Sequence, residues 1–172
     1  MRPFQWQGDR LVADLDSHEA QLLKQLVGEI QELLSVEAPS AVASASGSVV
    51  DPVAERLLPD GHRDDPELAA DYRSLTEEGL RRDKLADAAA VLDSIGQDGG
   101  RVDIDAEAAQ AWLRTLNDVR LGIGVRLDVQ ESDDPLERVE ETGDVRWAAY
   151  SWLTAVQGLL VDVLASPRER ST

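Results

Sequence analysis

The chain has 172 residues, which is enough for one domain with a substantial core and short for two. It contains no cysteine, and this excludes disulfides, thiolate metal sites, thiol redox chemistry and cysteine nucleophiles together. Its 17 basic residues stand against 34 acidic ones, and a formal net charge of −17 repels phosphate, so nonspecific nucleic-acid binding is disfavoured.

The N-terminal part predicts a strand region followed by a long helix. Gly8-Asp9 separates two short, partly alternating runs within 4–15, which indicates a hairpin or a single edge strand. Asp16 and Glu19 resemble a capping box for a helix over about 17–34. The Ala-, Ser- and Val-rich stretch 37–50 has no periodicity, and it predicts a flexible low-complexity loop or a segment that orders on a partner.

The middle of the chain predicts three helices. Asp51-Pro52 and Asp65-Pro66 each combine a capping Asp with Pro at the first helical position. A Pro-Asp-Gly turn at 59–61 ends the first of these short helices. Thr76 is then predicted to cap a separate helix over 77–95, which has a regular apolar stripe.

The stretch 99–127 predicts a short strand at 101–104 and the principal helix of the fold at 105–127. Apolar residues recur along one face of this helix from Ala109 to Leu127. A basic residue, a short strand and a capping Asp precede both long helices, so we expect the two strands to pair, an accidental likeness being the alternative. Residues 128–143 predict an acidic loop with one turn after Asp134-Pro135.

The last helix, over 144–165, has almost no polar face. A helix that is apolar all round is buried, so this one is expected at the centre of the bundle or at a homodimer or other protein interface. A polar tail follows at 166–172. The sequence therefore predicts a mainly α, single-domain helical bundle over 1–172, with a small β-ribbon that pairs the N-terminal strand with the strand near 101–104.

Asn117, Asp118 and Arg120 lie in the middle of the principal helix and form the first candidate site. Asn117 and Arg120 share a face, where Arg120 could bind a carboxylate or phosphate that Asn117 orients. The alternative, which we favour, is a structural polar network in which Asp118 and Arg120 bond to neighbouring helix ends and fix their register.

The only dense basic patch lies within 72–84. It predicts nucleic-acid contacts in a helix-turn-helix arrangement, although many carboxylates dilute it. The basic side chains of the patch, which follow Tyr72, are Arg73, Arg81, Arg82 and Lys84.

Neither histidine indicates a metal or a catalytic site. His62 lies among Asp60, Asp64 and Asp65, but their order does not match a calcium loop, and turn and cap functions account for the aspartates. His18 has no nucleophile or acid beside it in sequence. We expect no metal and no cofactor, no membrane span because no run of about eighteen apolar residues exists, and a cytoplasmic location.

Five stretches together resemble an actinobacterial family carried as domain of unknown function 2017. The resemblance covers nearly the whole chain apart from 37–50 and 128–143. The stretches are HEAQLLKQL (18–26), RLLPDG (56–61), YRSLTEEGLRRDKLADAAAVLDSI (72–95), GGRVDIDAEAAQAWLRTLNDVRLGIGVRL (99–127) and WLTAVQGLLVDVL (152–164).

Some members of that family are described as transcriptional regulators of the oxidative-stress response, and the resemblance supplies no catalytic residues. It implies a non-enzymatic regulatory protein that acts through protein–protein contacts, with transcription in the stress response as the expected target. Without cysteine this chain cannot sense oxidants through thiols. The alternatives are a small-ligand or anion-binding protein centred on Asn117, Asp118 and Arg120, and direct DNA binding through 72–84.

Overall fold

The structure is a computed structural model that describes residues 1–36, 51–59 and 69–166, with side chains in the third range from residue 77 onward. Within these ranges the chain is mainly helical, with one small sheet. The elements in chain order are β1 (Arg2–Gln7), β2 (Arg10–Leu15), α1 (Ser17–Ser35), α2 (Pro52–Leu57), α3 (Ala69–Ser94), β3 (Gly100–Ile104), α4 (Ala106–Leu127), α5 (Pro135–Thr142) and α6 (Val145–Ala165).

The three strands form one antiparallel sheet in the order β1-β2-β3. A turn at Gly8, where φ is +67° and glycine is favoured, joins β1 to β2. Leu11 pairs with Ile104 and Ala13 with Val102, and all four side chains are buried on the core. The predicted pairing of the N-terminal strand with the strand near 101–104 is confirmed, and with it the mainly α fold.

Helix α1 begins with the predicted capping box. The Asp16 carboxylate accepts hydrogen bonds from the backbone N–H groups of His18 and Glu19, each at 2.9 Å. The Glu19 carboxylate in return accepts one from the backbone N–H of Asp16 at 2.8 Å. The bond from the Glu19 N–H is the main reason why the pKa of Asp16 is lowered, because it stabilises the charged carboxylate.

Helix α4 is the element against which the others pack. Helices α1, α2, α3 and α6, and strands β2 and β3, all contact it. Trp112 is fully buried and packs its ring edge-on against Phe4, with the ring centroids 5.7 Å apart. Gly122 permits the close approach of α1 and α2, because a Cβ there would lie 3.0 Å from Ile30 Cδ1 and 3.2 Å from Val53 Cγ1.

Helix α3 is continuous from Ala69 to Ser94, so the predicted boundary at Thr76 between two helices is wrong. Thr76 matches an N-cap residue, but neither Pro nor Gly stands between 69 and 78 to interrupt the helix. A residue that matches an N-cap does not start a new helix where the preceding helix can continue through it. A helix-turn-helix with its turn at this junction is therefore excluded.

The acidic segment 128–143 contains helix α5, which the sequence analysis predicted as a loop with a single turn. Asp134 caps α5 through bonds from the N–H groups of Leu136 and Glu137, Pro135 occupies the first turn, and Gly143 ends it at φ +67°. The helix has no fully buried residue. With eight residues and only two large apolar side chains, Leu136 and Val139, its apolar pattern is too short to identify it as a helix.

Helix α6 is not the central element of the bundle, contrary to one of the two predicted locations. One face, with Leu153, Val156 and Leu160, is buried against the rest of the molecule, while much of the opposite face is exposed. Trp6 Nε1 donates a 3.0 Å hydrogen bond to the carbonyl of Val163 and joins this helix to β1. By length and composition alone α6 could span a membrane, so the expectation of no membrane span stays a prediction.

Candidate functional site

The candidate group on α4 is divided between two faces of the helix. Asp118 is 6% exposed and points toward α3, whereas Asn117 and Arg120 are half-buried on another side. Residues one and two positions apart on a helix do not share a face. The three residues therefore do not converge on a single ligand position.

Asp118 forms a buried ion pair with Lys84 of α3. Lys84 Nζ donates hydrogen bonds to both carboxylate oxygens, at 2.7 and 2.8 Å. Burial raises the pKa of Asp118, because the charged form loses hydration, and the bond from Lys84 opposes that rise. The pair thus compensates a charge that would be costly to leave alone in the core.

Two further side-chain contacts accompany this pair along the same helix interface. Arg114 binds Asp87 through two hydrogen bonds of 2.6 and 2.7 Å, which raises the pKa of Arg114. Trp112 Nε1 donates to Ser94 Oγ at 2.9 Å. The contacts run in opposite directions along α3 and α4, so they fix the register of an antiparallel helix pair.

Of the three residues in this group, Asp118 alone forms a polar contact between helices, and its partner is Lys84, which was not predicted for that role. Lys84 was assigned to the basic patch, yet it lies four residues before Ala88 and seven before Val91, on the buried face of α3. A lysine that continues an apolar helical stripe was the available signal for a buried ion pair. The bonds of Asp118 go to the side of α3 and not to a helix end.

Asn117 and Arg120 take no part in that network. Neither side chain forms a hydrogen bond or an ion pair with any residue in the described ranges. Arg120 is half-buried, as is common for arginines whose aliphatic stem packs against the protein while the guanidinium reaches water. Among these residues, Arg120 therefore makes no bond to a neighbouring helix end, contrary to that expectation.

We expect Arg120→Ala to lower the free energy of unfolding by less than about 1 kcal/mol, since the guanidinium makes no bond to the described part of the protein. Urea unfolding followed by circular dichroism measures this, with Arg82→Ala at an exposed position of α3 as the matched control. A loss of several kcal/mol for Arg120→Ala alone would assign Arg120 to the structural network.

A groove between α1 and α4 lies near this group, but none of the three residues lines it. Its walls come from Leu26, Ile30, Val119 and Ile123, with Glu29 and Arg126 also lining it. Its volume of ≈ 30 Å³ has room for only about two water molecules, whereas ligand pockets typically measure about 300–1,000 Å³. This groove is too small to support a small-molecule site.

Two of the three described side chains of the basic patch form hydrogen bonds within the protein and are therefore not available to a nucleic acid. Arg81 Nη1 donates to the carbonyls of Leu34 and Val36 and caps the end of α1, while its Nη2 binds Glu77 at 2.7 Å. Lys84 is held by Asp118, and Arg82 is exposed. The side chains of Tyr72 and Arg73 lie outside the described residues. Direct DNA binding stays a prediction, now resting on fewer available cations.

The region around His62, with Asp60, Asp64 and Asp65, also lies outside the described residues. Elsewhere, in 1–36, 51–59 and the side chains from 77 to 166, no group of three carboxylate or histidine side chains could hold a metal ion. The absence of a metal site and of a cofactor therefore stays a prediction for the whole chain.

The exposed face of α6 is the more distinctive surface. Of the six most exposed large apolar side chains in the described residues, three belong to this helix: Val145 at 76%, Leu159 at 43% and Val161 at 46%. Between Trp147 and Ser166 the helix carries a single charged residue, Asp162. We call the following residues, which recur at helical spacing, the α6 face: Ala148, Ser151, Ala155, Gly158, Leu159 and Asp162.

Fold and site together define a small, acidic, mainly α protein whose buried polar group holds two helices in register and whose last helix presents a face with a single charged side chain, Asp162. The chain belongs to the family described as a domain of unknown function, DUF2017, which matches residues 1–164. The predicted family resemblance is thereby confirmed.

Mycobacterial relatives of this chain carry a functional name. The chain is 31% identical over 185 residues to the oxidative stress regulator AosR of Mycobacterium bovis and to that of Mycobacterium tuberculosis. Each alignment covers 94% of this chain and 85% of the relative. No solved structure matches the chain.

Proposed function

We propose that this protein is a cytoplasmic regulator of the oxidative-stress response that acts by binding proteins through the α6 face, and not by catalysis. The names of the relatives support the regulatory role. The observation that carries the mode of action is the α6 face itself. This face consists largely of small and apolar residues and carries one charged side chain, Asp162, which is unusual on a chain in which 30% of residues are charged.

The burial and the hydrogen bonds of Asp118 argue against catalysis by the α4 group, and so support this proposal. A catalytic carboxylate must reach a substrate, but Asp118 is buried and both its oxygens are occupied by Lys84. Because the chain has no cysteine, oxidants cannot act on it through thiol chemistry. In this proposal the oxidative signal arises elsewhere and this protein transmits it by association, with the transcription machinery as the expected target.

Complementation of a deletion strain tests the proposal. We expect the wild-type chain to restore survival of hydrogen peroxide to a strain that lacks its own copy. Ala155→Glu, which places a charge in the middle of the α6 face, should reduce that survival at least tenfold at equal protein abundance. The matched control is Ala89→Glu, the same change at an exposed position of α3. Full rescue by Ala155→Glu would overturn the proposal.

A further inference from the structure

We infer that helix α5 is a strap that closes over Trp147 of α6 and opens while the rest of the molecule stays folded. Opening of the strap adds the Trp147 ring to one end of the α6 face. This inference rests on the proposed function, because it assigns a regulation to the same surface. Three observations carry it: the separate burial of Trp147, the weak attachment of α5, and the short link between the two helices.

Trp147 is buried, but it does not belong to the main core. It is 2% exposed, yet it is neither part of the contiguous apolar core nor among the half-buried residues that pack against that core. Its ring lies edge-on to the ring of Tyr150, with 6.3 Å between the centroids. The guanidinium carbon of Arg138, in α5, lies 5.4 Å from the centroid of the Trp147 ring. The burial of Trp147 therefore depends on α5.

Helix α5 packs against α6 without any polar anchor on it. Among the described residues, no hydrogen bond or ion pair joins 135–142 to α6. The guanidinium of Arg138 instead pairs within its own segment, with Asp133 at 3.6 Å and with Glu141 at 3.1 Å. The contact between α5 and α6 thus consists of the Arg138 cation over the Trp147 ring and the packing of half-buried side chains such as Val139.

The closed arrangement is also only weakly favoured. Arg138 Nε is buried without a hydrogen-bond partner, which is unfavourable for an N–H group. No residue of α5 is buried, and Leu136 is 65% exposed, so closure removes little apolar surface from water. Segments with few buried apolar contacts are those that open locally, well before the whole domain unfolds.

The location of Trp147 on α6 gives the opening a consequence. Ser151 and Gly158, which belong to the α6 face, follow Trp147 by four and eleven residues, so the three lie in one row along the helix. Tryptophan is the residue type most enriched among those that dominate binding at protein interfaces. The strap therefore covers the one aromatic side chain of this row.

The short link keeps the strap in competition with a partner. Only Gly143 and Asp144 separate α5 from α6, so an open α5 remains beside Trp147. A partner that needs the ring binds only molecules with an open strap. Its apparent dissociation constant is then the intrinsic one divided by the open fraction, and a variant that opens the strap more often binds more tightly.

Hydrogen exchange of the full-length protein, followed by NMR, tests the local opening. We expect the amides of 139–142 to be less protected than those of Leu153 and Val156 by a factor of about ten or more. Arg138→Ala should increase the opening of α5 about three- to tenfold, because it removes the cation from the Trp147 ring, and should leave the α6 amides unchanged. Glu140→Ala, at an exposed position of α5, is the matched control.

Two outcomes of the exchange experiment would overturn the inference. Equal protection of the α5 and α6 amides would mean that α5 opens only when the whole molecule unfolds. Equally faster exchange of α5 and of α6 in Arg138→Ala would mean that Arg138 supports the fold as a whole and does not hold a strap.

Peroxide survival of the deletion strain at graded protein abundance tests the regulation. We expect Arg138→Ala to give half-maximal survival at an abundance about three- to tenfold below that of wild type, in proportion to its increased opening. Glu140→Ala should match wild type. If Arg138→Ala needs as much protein as wild type while Ala155→Glu still fails, the strap inference falls and the proposed function stands. Full rescue by Ala155→Glu would overturn the proposed function and the regulation with it.

Discussion

Lys84→Ala is expected to lower the free energy of unfolding by about 2–3 kcal/mol, below the ~3–5 kcal/mol typical of breaking a fully buried pair. The reduction reflects the partial exposure of Lys84, whose side chain is 18% exposed. The variant leaves Asp118 buried without its cation, so the loss comes from an uncompensated charge. Urea unfolding measures it, and Arg82→Ala, two positions earlier on the same helix, is the control.

The size of this effect should depend on pH in a defined direction. Burial already raises the pKa of Asp118, and removal of Lys84 takes away the bond that opposed the rise. The penalty on the charged carboxylate exists above its folded-state pKa and disappears as the pH falls through that pKa. The difference between wild type and Lys84→Ala should therefore be largest at neutral pH and shrink in acid.

A double replacement distinguishes a register-setting pair from a simple source of stability. Lys84→Met with Asp118→Leu removes both charges and keeps comparable side-chain volumes, so we expect it to recover most of the loss seen in Lys84→Ala. An equally unstable double variant would mean that the interface needs the polar contact itself. A Lys84→Ala protein as stable as wild type would contradict the assignment of Lys84 and Asp118 as a buried pair.

Trp112→Ala is expected to have the largest effect, a loss of about 3–5 kcal/mol. The side chain is fully buried at the centre of the fold, between Phe4 of the sheet and Ser94 of α3. Native domains are typically stable by only about 5–15 kcal/mol, so this change could leave much of the protein unfolded. No smaller residue provides both the buried area and the N–H donor of tryptophan.

Trp112→Phe is the matched comparison, and we expect it to cost about half as much as Trp112→Ala. It keeps an aromatic ring against Phe4 but loses the hydrogen bond to Ser94, whose hydroxyl still donates to the carbonyl of Val91 at 2.7 Å. Urea unfolding with circular dichroism detection measures both variants. A loss below 1 kcal/mol for Trp112→Ala would contradict the central location of α4.

Local chemistry made much of the fold predictable from the sequence. Gly8-Asp9 marked the hairpin, Asp16 with Glu19 marked the start of α1, and the apolar period of 105–127 marked α4. Each of these signals lies within one short stretch of chain. The strand pairing was predictable because the same short pattern precedes both long helices.

The features that were not predicted from the sequence have two physical causes. Helix α5 was not predicted because eight residues with two large apolar side chains form too short a pattern, and the continuity of α3 was not predicted because Thr76 matches an N-cap residue although nothing between 69 and 78 interrupts the helix. The position of Lys84 on the apolar stripe of α3 indicates burial, but its partner Asp118 and the exposure of α6 depend on how distant elements dock, which no local pattern contains. A uniformly apolar helix indicates that its surface needs a partner, but the sequence alone does not show how much of that partner lies within the same chain.

Survival of hydrogen peroxide by a deletion strain carrying either Ala155→Glu or Arg120→Ala tests most directly where the activity resides. If the α6 face carries the function, Arg120→Ala restores survival to the wild-type level and Ala155→Glu does not, at equal abundance of both proteins. The reverse result, rescue by Ala155→Glu and failure of Arg120→Ala, would place the function at the half-buried arginine of α4 and contradict the assignment of the function to the α6 face.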